Sequence, residues 1–215
     1  MIVVSDLAGT LTTGYPVRGV VSWVRHNQSA IRVNLYILSF LPSYALAKLG
    51  LINFQNWGQN LMRTALPLVK KPTEQTILEI ANWTVEKELW PTRREDVIER
   101  LRKHRKEGAQ VTIASSAYEP IVKAFADRIG AQAIGSPIQL VEGRLRFTAK
   151  LVTREQKIQR VLSSLGISRI DVAYGDTEAD IPLLENANTP VAVYPDKMLR
   201  SIAEQRGWEI IGPPE

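Results

Sequence analysis

From residue 91 onward, short apolar runs alternate with amphipathic segments, and this alternation constrains the fold more than any other feature. The runs at 111–114, 170–174 and 191–193 have the length and composition of buried strands. Between them, apolar residues recur every three or four positions, as they do on one face of a helix. Strands that alternate with helices favour a mostly parallel sheet that helices cover on both faces.

Capping signals bound the predicted helices. Capping boxes are expected to begin at Thr92, Ser116 and Thr153, and helix ends are expected at Gly108, Gly130 and Gly166. Residues 135–147 are typical of a short strand excursion that turns at Glu142-Gly143, and a short helix is expected at 181–185. The order of elements is therefore that of an α/β protein.

The first 90 residues divide into a strand and a long insertion. Residues 2–4 are an apolar run that ends close to Asp6. Residues 15–90 hold most of the Trp and Tyr residues, and Leu35, Leu38 and Leu41 follow each other at helical spacing. Because this stretch is too long for a loop, we predict a core of residues 1–13 and 91–215 with an inserted α-helical cap at 14–90.

Composition and charge limit the classes of partner. The chain has 215 residues and no cysteine, which excludes disulfides and thiolate metal sites. The first predicted strand begins at residue 2 and leaves no room for a secretion signal, so we expect a cytoplasmic protein. A net charge of +5 favours anionic partners.

The densest basic run, RLRKHRK at 100–106, is interpreted as a solvated helix face. Asp96 and Glu99 precede Arg100 and Lys103 by four residues and can pair with them. No aromatic residues interleave with these charges, as a surface for single-stranded nucleic acid would require. We therefore expect no nucleic-acid partner.

The apolar stretch at residues 31–52 could either pack against the rest of the protein or contact a membrane. Its uninterrupted apolar part is shorter than the roughly 20 residues of a spanning helix. Pro42 is expected to break it, and Arg32, Asn34 and Lys48 flank it. We favour a helix pair packed into the insertion, then a helix that makes peripheral contact with a bilayer surface. A membrane-spanning helix ranks third.

Polar residues follow the predicted strands at the edge where ligands bind in open α/β sheets. Asp6 follows the first strand, Ser115 the second, and Asp176 and Asp180 the strand at 170–174; Lys157 lies in the first turn of a helix. Carboxylates can hold Mg²⁺ or act as nucleophiles, and a lysine can offset phosphoryl charge. This set is suited to phosphoryl transfer.

Each of these residues alone has a simpler explanation. Asp6 could cap a turn, Ser115 could end a strand, Lys157 could be a surface lysine, and Gly175-Asp176 is a common turn pair. An interaction protein without enzymatic activity would not need the acids and the lysine together. Their joint presence in this order favours one chemical site.

Four segments carry a resemblance to a known family. VVSDLAGTLT, VTIAS, TREQK and YGDTEADIPLLENANTPVAVYPD resemble, in order, the four motifs of the haloacid dehalogenase superfamily in its phosphoserine-phosphatase-like branch. The resemblance covers residues 1–13 and 91–210, while the middle of the chain is similar only to a generic helical cap. It implies a Rossmann-like three-layer core, a Mg²⁺ cofactor and an aspartyl-phosphate intermediate.

The resemblance also implies roles for single residues. Asp6 would be the nucleophile, and Mg²⁺ would be held by Asp6, the main-chain carbonyl of Ala8 and Asp176, with Asp180 supporting the metal site. Ser115 and Lys157 would be catalytic residues that hold the phosphoryl group, with Lys150 a weaker candidate for the lysine. Further expected phosphate contacts are Gly9, Thr10 and Ser116.

Ala8 departs from the family pattern, in which a second Asp protonates the leaving group and then activates water. Losing a general acid–base typically costs about 10²–10⁴-fold in rate. We favour a phosphatase that has a good leaving group or takes its acid from the cap, where His26, Lys48 and Lys70 are candidates. A phosphate-binding protein with little turnover comes second. A phosphonatase-like hydrolase, whose branch shares Asp-x-Ala-Gly-Thr and uses a cap lysine as a Schiff base, comes third.

The sequence gives less direct evidence about the substrate than about the type of reaction. A small soluble phosphomonoester is one expectation. A lipid phosphate that enters past residues 31–52 is the other, because that stretch is apolar and the chain is basic.

Overall fold

The computed structural model describes residues 1–51, 54–149, 151–152 and 154–213, and its centre is a parallel sheet of six strands. The strands in chain order are β1 (Ile2–Ser5), β2 (Gln110–Tyr118), β3 (Gln132–Ser136), β4 (Ile138–Val141), β5 (Arg144–Phe147), β6 (Ile170–Gly175), β7 (Ala187–Val193) and β8 (Glu209–Ile211). The sheet order is β3-β2-β1-β6-β7-β8, and β4 and β5 form a separate antiparallel hairpin. The central position of β1 gives residues after its end neighbours on both sides.

The helices lie between the strands along the chain. They are α1 (Pro16–Asn27), α2 (Ala30–Lys48), α3 (Phe54–Ala65), α4 (Glu74–Thr84), α5 (Glu95–Lys106), α6 (Glu119–Ile129), α7 (Arg154–Leu165), α8 (Ile181–Glu185) and α9 (Lys197–Arg206). Short 3-10 turns lie at Leu66–Leu68 and Glu178–Asp180, and a π-helical turn lies at Val85–Leu89. The first four helices lie between β1 and β2, where the sequence predicts a helical insertion.

Apolar side chains fill both faces of the sheet. Val3 of β1 belongs to a buried cluster with Ile98 of α5 and Phe125 of α6. The next residue, Val4, belongs to a second cluster with Val161 of α7 and Leu199 of α9. Successive residues of a strand point to opposite faces, so β1 is buried on both. The predicted three-layer α/β architecture is confirmed.

The inserted helices join the first of these clusters. Val20 and Trp23 of α1 and Ile80 of α4 are buried in the same cluster as Ile98. Where the insertion leaves and returns, the buried Thr12 hydroxyl donates to the Leu89 carbonyl at 2.7 Å. The helices at 16–84 are thus packed against the sheet layer rather than detached from it.

Two of the predicted capping boxes are wrong. Helix α5 begins at Glu95 after Arg94, and the Thr92 hydroxyl instead donates to the Glu88 carbonyl at 2.9 Å. Ser116 stays in β2, because that strand continues to Tyr118 and pairs there with Ser136 of β3. The third box, at Thr153, lies outside the described residues.

The basic face of α5 is paired with acids, although Arg100 and Lys103 pair with Glu209 and Glu107 and not, as predicted, with Asp96 and Glu99. Arg102 contacts Glu95 and Glu99 at 2.7 and 2.5 Å. Arg100 pairs with Glu209 of β8, which is distant in sequence.

The apolar stretch forms one continuous helix, α2, so the predicted break at Pro42 is wrong. Pro42 has no N–H to donate to the carbonyl of Leu38, and the helix nevertheless continues through it. By length and composition, Ala30–Lys48 could cross a membrane, and 11% of its apolar window is buried. Residue 52 lies outside the described residues.

Candidate active site

Asp6 is the first residue after β1, at the carboxyl edge of the sheet. Its main-chain N–H donates to the carbonyl of Tyr174 in β6 at 3.0 Å. Ser5, just before it, pairs with Ile113 of β2 on one side and with Tyr174 on the other. The strand register thus fixes the position of Asp6, whose side chain is 8% exposed.

Three carboxylates converge at this edge. Asp6, Asp176 and Asp180 each offer an oxygen that lies within 4.8 Å of the others. Asp176 follows β6, and Asp180 ends the 3-10 turn Glu178–Asp180. One oxygen of Asp180 accepts the N–H groups of Asp176 and Thr177, each at 3.3 Å. The loop after β6 therefore orients its own second acid.

Lys157 ties two of these acids together. Its ammonium donates to Oδ1 of Asp6 and to Oδ1 of Asp180, both at 2.7 Å. Lys157 is 5% exposed and is the fourth residue of α7. A lysine this buried needs carboxylate partners to remain charged.

Burial and mutual repulsion raise the pKa values of two of the acids. Burial raises the pKa of Asp6 from 3.8 to about 6, although Lys157 opposes the shift. Burial and the charges of Asp6 and Asp180 raise the pKa of Asp176 to about 8. Burial lowers the pKa of Lys157, but the two carboxylates outweigh it and hold that pKa above its usual range. One ammonium does not neutralise the cluster.

The loop after Asp6 packs directly onto Asp176. The Thr10 hydroxyl donates to Oδ1 of Asp176 at 2.8 Å. Gly9 has a φ of +98°, and a Cβ atom at this position would overlap the Asp176 carboxylate. Arg94, to which the sequence analysis gave no role, donates from Nε to the Gly9 carbonyl at 2.9 Å. Gly9 and Thr10 thus lie against Asp176, and their expected contacts with phosphate remain predictions.

A second contact missed in the sequence analysis supports the loop after β6. The N–H of Asp196, the residue that caps α9, donates to the Asp176 carbonyl at 2.9 Å, and Oδ2 of Asp196 accepts the N–H of Glu178 at 3.1 Å. Asp196 lies within the segment that resembles the fourth motif, but that pattern assigns it no contact.

The two serines lie at the same sheet edge without joining the carboxylates. Ser115 is buried, two residues beyond Ile113, and its hydroxyl accepts the N–H of Ala117 at 3.3 Å. The Ser116 carbonyl accepts the hydroxyl of Ser136 at 2.7 Å. Their predicted contacts with a phosphoryl group therefore remain predictions.

The candidates for a replacement acid lie on the surface of the insertion. His26 is exposed and stacks against Trp83 with ring centres 5.0 Å apart. Lys48 and Lys70 are exposed as well. No hydrogen bond or ion pair found among the described residues joins these three to the carboxylates, and Lys150 lies outside the described residues.

The donor set fits a divalent cation. Mg²⁺ prefers oxygen ligands, a small number of carboxylates and several waters. Asp6, Asp176 and Asp180 supply such oxygens within one cluster. Their charge exceeds that of Lys157, and burial together with the neighbouring carboxylates raises the pKa values of Asp6 and Asp176. The cluster suits a magnesium ion that completes the charge balance.

Comparison with known proteins identifies relatives of the chain. Phosphoserine phosphatase SerB1 of Mycobacterium tuberculosis is 30% identical over 190 residues, which cover 81% of this chain and 59% of that protein. The inhibition of morphological differentiation protein of Streptomyces azureus is 28% identical over 145 residues, covering 64% and 52%. The chain thus spans between half and three-fifths of the length of these curated relatives.

Solved structures share the fold at low identity. A protein of unknown function from Bordetella pertussis Tohama I has a TM-score of 0.77 at 19% identity, covering 98% of this chain and 97% of that one. A phospho-aspartyl intermediate analogue of phosphoserine phosphatase has a TM-score of 0.60 at 16% identity, covering 100% and 94%. At such identities the likeness concerns the fold alone.

A family model described as haloacid dehalogenase-like hydrolase matches residues 3–185. The matched range begins in β1 and ends with α8, so it includes all three carboxylates and Lys157. The chain belongs to the haloacid dehalogenase-like hydrolases.

Proposed function

We propose that this chain is a Mg²⁺-dependent phosphatase that hydrolyses a phosphomonoester through an aspartyl-phosphate on Asp6. One observation carries the proposal: the Lys157 ammonium bridges Asp6 and Asp180 in a buried cluster that also includes Asp176. Family membership supports it, as does the relative named a phosphoserine phosphatase.

The chemistry assigns a task to each group. A carboxylate oxygen of Asp6 attacks phosphorus while the bond to the leaving oxygen breaks, and water then releases inorganic phosphate and restores the carboxylate. Lys157 offsets the charge on the transferring group, and the Ser115 hydroxyl binds one of its oxygens. Asp6, Asp176 and the Ala8 carbonyl would hold Mg²⁺, with Asp180 as support. When bound, the ion supplies charge stabilisation to the phosphoryl oxygens.

Ala8 determines which substrates such a site can use. A methyl group cannot give a proton to the leaving oxygen, so turnover requires a good leaving group or an acid from elsewhere. The carbonyl of residue 8 is independent of its side chain, so the metal site does not require an acid there. Ala8 is also the basis of the two alternatives, a phosphate-binding protein with little turnover and a phosphonatase-like hydrolase.

The inserted helices would form the cap that selects the substrate. We place the cap at 14–90 and the catalytic core at 1–13 and 91–215. The Thr12–Leu89 hydrogen bond supports this division, because it lies where the chain leaves and re-enters the core. A small phosphomonoester is the substrate class we propose, with a lipid phosphate as the alternative.

The test is Mg²⁺-dependent hydrolysis of an aryl phosphate by wild type, Asp6→Asn and Ala8→Asp. Aryl phosphates have good leaving groups and partly compensate for a missing acid. We expect wild type to turn over, Asp6→Asn to lose at least about 10³-fold, and Ala8→Asp to gain about 10²-fold or more. Asp127→Asn is the control, because Asp127 is exposed on α6 and pairs with Lys123.

Other outcomes separate the alternatives. Activity in Ala8→Asp alone would indicate that the native protein binds phosphate compounds without turning them over. Activity that survives in Asp6→Asn would contradict the proposed nucleophile. Inactivity of all variants with Mg²⁺, followed by turnover of a phosphonate, would favour the phosphonatase-like reading.

A further inference from the structure

Helix α2 packs through one narrow face. Val33 and Ala47 are its buried residues, and Tyr36 and Phe40 lie between them at helical spacing. The Tyr36 hydroxyl donates to the Leu61 carbonyl of α3 at 2.9 Å. Trp57 of α3 donates from its ring nitrogen to the Ser43 hydroxyl at 3.0 Å. This face is therefore occupied by the rest of the insertion.

The opposite face of α2 is apolar and exposed. Large apolar side chains with exposed fractions between 43% and 74% are Ile31, Leu35, Ile37, Leu38, Leu41 and Leu46. Tyr44 is 39% exposed, but its ring contacts that of Trp57 in α3, with ring centres 5.5 Å apart. Leu49 and Leu51 continue the surface at 73% and 68%. No charged residue lies between Arg32 and Lys48. Exposed apolar patches of this extent mark interaction surfaces, because a solvated helix face would carry polar residues.

The segment of sequence that contains α2 carries charge of one sign. From residue 7 to residue 73 the sequence contains no Asp or Glu. The same stretch contains seven cationic residues, namely Arg18, Arg25, Arg32, Lys48, Arg63, Lys70 and Lys71. An apolar helix within a segment whose charged residues are all cationic complements a lipid surface, in which anionic headgroups cover an apolar interior.

We propose that the outer face of α2 docks on an anionic lipid bilayer, with the helix lying in the plane of the interface. The helix does not span the bilayer, because its inner face is held by α1 and α3 and cannot contact lipid while the insertion stays folded. Lys48, at the end of the helix, is a residue type that anchors at the interface. This inference does not rest on the proposed function, since binding to lipid needs none of the catalytic carboxylates.

Vesicle flotation tests the proposal. Vesicles of phosphatidylcholine with a minor fraction of phosphatidylglycerol are compared with pure phosphatidylcholine. We expect wild type to float with the anionic vesicles at low salt, with affinity at least about ten-fold lower on pure phosphatidylcholine or at about 1 M salt.

The variant removes the apolar face while keeping the helix. Leu35→Gln/Leu38→Gln/Leu41→Gln changes three exposed leucines to a good helix former, and we expect it to lose at least about ten-fold in vesicle affinity. The matched control is Leu78→Gln/Met198→Gln, because Leu78 and Met198 are 56% and 55% exposed on α4 and α9. We expect this control and Asp6→Asn to float like wild type. Unchanged far-ultraviolet circular dichroism shows that the variants are folded.

Four results would overturn the proposal. The first is that wild type stays in the soluble fraction at low salt. The second is that the triple variant and the control lose flotation equally. Resistance to alkaline carbonate extraction would indicate a spanning helix instead. A dimer of wild type that dissociates in the triple variant, without flotation, would assign the face to a second copy of the chain.

Discussion

The alanine at position 8 bears on proton transfer in the proposed mechanism and not on the proposed metal site. The cluster that includes Asp6, Asp176 and Asp180 is assembled without any side chain at position 8. Lys157, the ammonium that bonds to Asp6, also comes from elsewhere, on α7. In the proposed mechanism, the missing carboxylate would therefore affect protonation of the leaving group and would leave Asp6 and Lys157 in place.

Gly9 is the residue whose substitution most directly tests the packing of this loop. In Gly9→Ala the new methyl group would overlap the Asp176 carboxylate, so that acid must move. We expect activity with an aryl phosphate to fall at least about 10²-fold and the Mg²⁺ needed for half-maximal rate to rise.

Gly143→Ala provides the control for backbone strain. Gly143 has a φ of +69° in the β4–β5 turn, and a Cβ atom there would meet nothing within 4 Å. Both variants should lose about 1 kcal/mol of stability, but only Gly9→Ala should lose activity. Equal activity in the two would show that the Asp176 position is not constrained by residue 9.

Among the elements, β2 links the sheet edge to the insertion. It continues past Ser115 to Tyr118, whose hydroxyl donates to the Met62 carbonyl of α3 at 2.6 Å. Burial raises the pKa of Tyr118 above its usual range, so the hydroxyl remains a donor at physiological pH. The strand that carries the predicted phosphate-binding serines thus also holds α3 in place.

Tyr118→Phe should weaken the contact between β2 and α3 without creating a cavity. The ring, stacked on Phe147 with centres 5.6 Å apart, is retained, while the Met62 carbonyl loses its donor. We expect a loss of about 1–2 kcal/mol, which thermal unfolding would record as a fall in Tm of about 2–8 °C.

Tyr194→Phe is the matched control. The Tyr194 hydroxyl donates to Asp96 at 3.2 Å from a residue that is 36% exposed. Water can replace an exposed partner, so the change should stay within about 0.5 kcal/mol. An equal shift in the two variants would contradict the special role of the Met62 contact.

At the scale of the whole molecule, local pattern predicted the architecture well and tertiary contacts poorly. The strands at 111–114, 170–174 and 191–193 were predictable because parallel strands buried on both faces are continuously apolar. The edge strands β3 and β8 were not predicted as parts of this sheet. The continuity of α2 through Pro42 was not predictable, since a proline inside a helix normally kinks or ends it. The contact of Arg94 with Gly9 joins residues 85 apart, which no local signal encodes.

The candidate site, too, was predictable from the sequence in some respects and not in others. Asp6, Asp176 and Asp180 were predictable as a group because they follow β1 and β6, which end at the same sheet edge. Lys157 was predicted to join them from the first turn of a helix. Their hydrogen bonds were not, since the bridge from Lys157 to two acids requires the packing of α7. The contact of Thr10 with Asp176 joins two loops in the same way.

The excess negative charge of the site should make the stability of the whole chain depend on pH and on Mg²⁺. Without metal, folding raises the pKa of Asp176 from 3.8 to about 8 and that of Asp6 to about 6. The folded state then binds more protons than the unfolded chain between about pH 4 and 8. By linkage, the stability that these protons contribute is present below pH 4 and is lost as pH rises through this window.

We therefore expect the Tm of the metal-free protein, measured with a chelator, to fall between pH 5 and 8. Each unit of retained pKa shift is worth about 1.4 kcal/mol, or roughly 3–6 °C in a chain of this length. Millimolar Mg²⁺ should raise Tm more at pH 8 than at pH 5, because it binds the deprotonated carboxylates. Potassium chloride at matched ionic strength controls for screening. Asp176→Asn should flatten the pH dependence and weaken the response to Mg²⁺, whereas curves parallel to wild type would show that Asp176 carries neither effect.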